Sequence, residues 1–285
     1  MRAWLSFIPL FLVSADSTIP LPGPASVADP SSSAGDHSAI RLLQQTTAVR
    51  VSEDTCDLPD TTRYFLQDDP QVYIWFRVWD AAEGDEPSVE WLRPDGAVLT
   101  RQQWPKLTKA GNFCFHSGLF IANHEPARRP GEWRARVSWN GTHLFDQPFT
   151  VLDWTPAPAI PSGGVVNGAD FTADLAPGII FTVFGADLAP ATLSASGAPL
   201  PEIIDRVSVE ITDPTATRNA PLFFVSRRQI NAQVPFGIAP GRVQVRVRWA
   251  NRTTQAQSVD VRARNPKLFT TTMTGRGAPI LVHAN

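Results

Sequence analysis

Apolar and polar residues alternate with a period of two over most of this chain. In GRVQVRVRWA (241–250), Val243, Val245, Val247 and Trp249 fall on one parity, and Arg242, Gln244, Arg246 and Arg248 on the other. Successive side chains of a strand point to opposite faces, so this is a strand with one buried and one solvated face. EWRARVSW (132–139), RVSVEIT (206–212) and QSVDVRAR (257–264) follow the same scheme. Asn140-Gly141 separates EWRARVSW from THLFDQPFTVL (142–152) and predicts a hairpin, because both central residues of that turn need positive φ. SVEWLR (88–93) runs into the turn residues Pro94-Asp95-Gly96. QVYIWFRVWD (71–80), FCFHSGLFI (113–121), GIIFTVFG (178–185), APLFFVS (220–226) and QINAQVP (229–235) complete the set of predicted strands. No stretch between them carries a helical period. Strands at this spacing predict antiparallel sheets packed as sandwiches.

Punctuation divides the chain. WTPAPAIPSGG (154–164) is Pro-rich and predicts a stiff, extended linker. One domain is expected over 45–152, a linker over 153–163, and a second domain over 164–285. Residues 16–44, with DPSSSAGD at 29–36, predict a flexible lead-in with no core of its own. Residues 1–15, MRAWLSFIPLFLVSA, have one early cation, an apolar run and small residues at Ser14-Ala15, the pattern of a signal peptide cleaved after Ala15. Such a run is too short to span a bilayer as a helix, and no later run is longer. Export agrees with the cysteines. There are two, Cys56 and Cys114, and in an oxidising compartment such a pair is expected to form a disulfide. A secreted, periplasmic or cell-surface location follows.

Composition sharpens this. Pro is 26 of 285 residues, which argues against long helices because proline lacks the amide donor. The formal net charge is −2, so the chain is no polyelectrolyte binder, and no aromatic-basic motif suggests nucleic acid.

The second domain carries specific segments. GVVNGADF (164–171), LAPGIIFTVFGADLAP (175–190) and APLFFVSRRQINAQVPFGIAPG (220–241) occur in order with sensible gaps. Together they resemble a domain found in many secreted acidobacterial proteins, a relative of the IPT/TIG immunoglobulin-like fold. The resemblance covers 163–285. It implies an immunoglobulin-like sandwich and supplies no catalytic or binding residues. Arg227-Arg228 stands where that domain has Pro-Gly. GRGAPILVHAN (275–285) resembles the beginning of a further lobe, so the second domain is expected to be incomplete at its C-terminus. In QINAQVPF, Gln229, Asn231 and Gln233 share one face and are expected to bond a neighbouring loop's backbone. The first domain reads as a similar sandwich, although Trp75 and Trp91 do not keep the immunoglobulin spacing after Cys56. The expected fold is all-β, two immunoglobulin-like antiparallel sandwiches.

Candidate chemistry is sparse. His37, His116, His124, His143 and His283 form no metal-ligand pattern, and there is no G-x-S-x-G elbow or G-x-G-x-x-G loop. Asp54, Asp57 and Asp60 recur around Cys56, but without the loop of a calcium site they read as solvated acids. No enzyme, metal or cofactor is expected. Two surfaces remain. Tyr73, Trp75, Arg77 and Trp79 share one parity of a strand whose other parity, Val72, Ile74, Phe76 and Val78, is also apolar. Exposed, that row is a stacking platform for sugar rings; buried, it marks a central strand covered on both sides. Arg242, Arg246, Arg248, Arg262 and Arg264 lie on the outward parity of two strands and read either as a basic stripe for anionic polysaccharide or lipid, or as an ordinary solvated face. The function expected is non-enzymatic binding or a structural role at the cell surface, with polysaccharide or another surface protein as partner. The alternative is a carbohydrate-binding accessory module or glycan-active enzyme using Tyr73, Trp75 and Trp79.

Overall fold

A computed structural model describes residues 40–272 and 274–280, together with the two-residue strand Ser14–Ala15. Otherwise the expected signal peptide, lead-in residues 16–39, His37, His283 and the end of GRGAPILVHAN lie outside the described residues. The chain divides into two compact units, Met1–Thr155 and Pro156–Asn285.

The first unit contains β1 (Ser14–Ala15), β2 (Arg41–Ala48), β3 (Tyr64–Phe65), β4 (Gln71–Ala81), β5 (Pro87–Leu92), β6 (Val98–Gln103), β7 (Gly111–Phe120), β8 (Gly131–Trp139) and β9 (Thr142–Val151). They form two sheets, ordered β1-β7-β4-β2 and β3-β9-β8-β5-β6. The β4 to β5 and β6 to β7 connections cross between sheets, which is sandwich topology. Val72, Ile74, Phe76 and Val78 of one sheet and Val89, Trp91, Trp133, Ala135 and Val137 of the other belong to one buried cluster. Asn140 and Gly141 take φ 51° and 79°, forming the expected hairpin between β8 and β9.

The second unit contains β10 (Val165–Asn167), β11 (Asp174–Leu175), β12 (Ile180–Phe184), β13 (Leu193–Ser194), β14 (Val207–Thr212), β15 (Thr217–Asn219), β16 (Leu222–Val225), β17 (Gln229–Gln233), β18 (Gly241–Trp249), β19 (Arg252–Thr253) and β20 (Gln257–Val261). Its sheets run β10-β12-β17-β16-β13 and β11-β20-β18-β14-β15, with β19 beside β18. Phe181, Val183, Ile230 and Ala232 on one sheet and Val209, Ile211, Val245 and Val247 on the other are fully buried. Both units are therefore all-β sandwiches of immunoglobulin-like type.

Several details differ from the sequence reading. β2 starts at Arg41, inside the stretch assigned to the lead-in, because pairing with β4 and packing of Ile40 and Leu42 on the core order a segment that composition marks as flexible. The sheets are not wholly antiparallel: β3 pairs parallel with β9, and β11 parallel with β20. Strands of two residues are too short to show a period. Glu125–Arg128 forms a one-turn helix, α1, with Pro126 in its first turn, where a missing amide costs nothing. β20 ends at Val261, so Arg262 and Arg264 lie beyond the strand. Of the amide row, Gln233 Nε2 donates to the Gly178 carbonyl at 2.9 Å as expected, whereas Gln229 Nε2 donates to Asn231 Oδ1, also at 2.9 Å.

Candidate functional site

The aromatic row is on the outer face of β4, but it is not an open platform. Trp75 is only 1% exposed, Tyr73 and Arg77 are half-buried, and Trp79 alone is well exposed at 40%. The physical reason is the segment 49–61. It has no regular structure, and its ends are closed by a bridge between Ala48 and Thr61 and by Thr47 Oγ1 donating to the Thr62 carbonyl at 2.6 Å. Its middle is joined to the sheet by the Cys56–Cys114 disulfide, with Cα atoms 5.7 Å apart. Cys114 faces outward on β7, since Phe113 and Phe115 on the other parity enter the core. It is opposite Arg77 in register, and His116 is opposite Trp75. The bond therefore clamps a strap onto the outside of one sheet. It does not link the two sheets through the core, as an immunoglobulin disulfide does.

Beneath the strap, Arg77 donates to the Cys56 carbonyl, and its guanidinium lies 5.9 Å from the Trp75 ring centre. Gly118 lets the Tyr73 ring lie flat on β7, for a Cβ there would be 3.2 Å from the ring. His116 contacts Tyr73 edge-on at 6.1 Å, and its Nε2 is buried with no hydrogen-bond partner. Burial pushes the His116 pKa down against the opposing charge of Glu53, and burial together with Glu53 pushes the Tyr73 phenol up. At the end of the row Arg41 stacks on Trp79, 5.5 Å from the ring centre.

The arginines of the second unit stand among acids. Arg248 pairs with Glu210 at 3.2 Å, Arg242 with Asp260 at 3.9 Å, and Arg262 with Asp174 at 2.7 Å. Arg246 faces the same Glu210 across the strand pair. Acids on neighbouring strands thus interrupt the positive face, and what remains is a mixed solvated surface. Among the described residues no three His, Cys, Asp or Glu side chains gather closely enough to hold a metal ion.

The structure adds a site that sequence reading passed over. A groove of about 240 Å³ lies along the flank of the first unit, where the edge strand β6, the end of β7 and α1 meet. Leu99, Leu119, Phe120 and Pro126 supply its apolar wall, with Thr100, Gln102, His124 and Glu125 at the rim. Phe120 remains 48% exposed and stacks on His124 at 5.3 Å and 26°. Three of the rim residues are engaged: Gln102 accepts from Ser117, His124 Nδ1 meets the Ala122 carbonyl at 2.8 Å, and Glu125 is 2.7 Å from Arg93 Nε. That Arg93 hydrogen bond holds the Glu125 carboxyl below its usual range. The sequence signal was Phe120, a large aromatic on the outward parity of β7. A second cavity, of about 290 Å³, lies beside Asp187, Arg227 and Arg228 in the second unit, where Arg227 meets Asp187 at 2.8 Å.

No protein-family model matches this chain, and no curated protein matches it. Solved structures similar to it include a biofilm-associated protein BSP domain, at 13% identity over 72% of this chain and 30% of that one, with a TM-score of 0.23. A tetra-tandem repeat from the extending region of a large adhesion protein aligns at 14% identity over 77% and 49%, with a TM-score of 0.27. SGBP-B from a xyloglucan utilization locus of Bacteroides uniformis aligns at 10% identity over 78% and 48%, with a TM-score of 0.29. This chain spans less than half the length of each of these. The fold assignment accordingly rests on the chain's own strand order and core. No helix among the described residues is long and apolar enough to cross a membrane.

Proposed function

We propose that this protein is an extracellular or cell-surface module that works by non-covalent binding, and that the groove of the first unit receives an extended segment of a partner protein. One observation carries the reading. The apolar wall of Leu99, Leu119, Phe120 and Pro126 adjoins β6, whose outer edge has no neighbouring strand among the described residues. An extended chain laid on such an edge gains backbone hydrogen bonds and sends alternate side chains into the adjoining pocket. Gln102, His124 and Glu125 at the rim already have partners, which favours an apolar side chain over the hydroxyls of a sugar. The disulfide fits an oxidising compartment. The second unit, with its IPT/TIG resemblance, fits a structural or spacing role. Selection of random peptides displayed on phage against the full chain tests this. Selected peptides should share apolar residues at alternate positions and bind the Phe120→Ala protein at least tenfold more weakly. Equal binding to both proteins would refute the groove.

A further inference from the structure

The outer face of β4 is covered by one irregular strap, and the strap has a single covalent hold on the sheet. Most of residues 49–61 are exposed, while Trp75 beneath is 1% exposed. The Ala48–Thr61 bridge fixes only the strap's ends. Its middle is held at Cys56, by the disulfide and by the Arg77 hydrogen bond to the Cys56 carbonyl. The covered state leaves His116 Nε2 buried and unpartnered, a cost that uncovering removes. The strap is also acidic, with Glu53, Asp54, Asp57 and Asp60 against Arg50 alone. Glu53 is close enough for its charge to act on both Tyr73 and His116. An acidic segment thus already occupies an aromatic face that contains a guanidinium.

We propose that the strap is a releasable cover, that thiol–disulfide exchange opens it, and that the uncovered row Tyr73, Trp75, Arg77 and Trp79 binds a uronate-bearing polysaccharide. A dithiol reductant supplies the two electrons. One of its thiolates attacks Cys56 Sγ, the more accessible sulfur residue, forming a mixed disulfide and expelling Cys114 as a thiolate that takes a proton. Its second thiolate then closes the reductant's own disulfide and releases Cys56 as a thiol. On the opened face, side chains two residues apart are ~7 Å from each other, a row of aromatic faces for successive sugar rings. Arg77, freed from the Cys56 carbonyl, offers a planar pair of donors to a ring carboxylate. The acidic ligand takes the place of an acidic strap.

The test compares the oxidised full chain, the same chain treated with dithiothreitol, and the C56S/C114S variant, probed with oligogalacturonate and its methyl ester. Opening should speed hydrogen exchange across 49–61 and speed trypsin cleavage after Arg50, which is already exposed in the oxidised chain, while the far-UV spectrum stays that of the oxidised chain. The open forms should bind oligogalacturonate at least tenfold more tightly than the oxidised chain. Arg77→Ala in the C56S/C114S background should abolish the preference for the acid over the ester, and Trp75→Ala the binding itself. A strap still protected without the bond would overturn the proposal, and so would an open face indifferent to oligogalacturonate. Unfolding on reduction would also overturn it, because the bond would then hold the sandwich and not a cover. Peptide binding by the oxidised chain reads the groove and oligogalacturonate binding by the open forms reads this face, so failure here is separable from failure of the groove.

Discussion

Phe76 is where the two sheets of the first unit can be tested for a shared core. Its ring is fully buried and stacks on Phe115 of its own sheet at 5.2 Å and 21°. It meets Phe145 of the opposite sheet edge-on at 5.4 Å and 72°, and Trp104 at 5.8 Å and 82°. Phe76→Ala removes a ring from a site whose walls belong to two hydrogen-bonded sheets, so the gap cannot readily collapse. The expected loss is about 3–5 kcal/mol, the transfer cost of the ring plus the cavity left behind. Against the ~5–15 kcal/mol that holds an ordinary domain together, such a loss moves the urea midpoint far down. A double-mutant cycle with Phe145→Ala isolates the contact between sheets, for which an edge-on pair predicts about 0.5–1.5 kcal/mol of coupling. Urea unfolding followed by tryptophan fluorescence is the assay, since Trp75, Trp91, Trp104, Trp133 and Trp139 all report on this unit. The slope of the transition should stay constant. A loss below about 1.5 kcal/mol, set against the expected cavity cost, would refute a core closed by both sheets at this point. Zero coupling with Phe145 would do the same.

Two further predictions concern charge. Asp146 lies 3.3 Å from Arg134, 3.2 Å from Arg136 and 3.0 Å from His143. Burial alone would raise its pKa, but hydrogen bonds from Arg136 and His143 outweigh that and hold it below the ordinary value of 3.8. A depressed folded-state pKa contributes stability that is complete above the unfolded value and is lost as pH falls through the folded one. Asp146→Asn should therefore lower the urea midpoint at neutral pH, and the gap to the parent should narrow below about pH 4; a gap independent of pH counts against the cluster. On the second unit, Glu210 and Asp260 interrupt the arginine face. E210Q/D260N should elute later than the parent from a sulfated-polysaccharide column at low salt, with the difference vanishing at high salt; identical elution would show that these acids do not set the surface field.

Much of the fold was legible because its signals are local. The alternation of Val243, Val245, Val247 and Trp249 identifies β18 and its buried face without reference to any other strand. Asn140-Gly141 marks a hairpin because two adjacent residues must take positive φ. The two cysteines, read with an apolar leader, were enough to anticipate the disulfide. Three features were decided only by the tertiary structure. Whether the Trp75 row was open depended on a strap beginning more than twenty residues earlier and fastened to a different strand. The charge of the arginine face depended on acids that sequence separates and sheet register brings opposite. The groove exists only where β6, β7 and α1 converge. A side chain's face follows from its own position in a strand, but what covers that face is set by which distant segments the sheets bring against it.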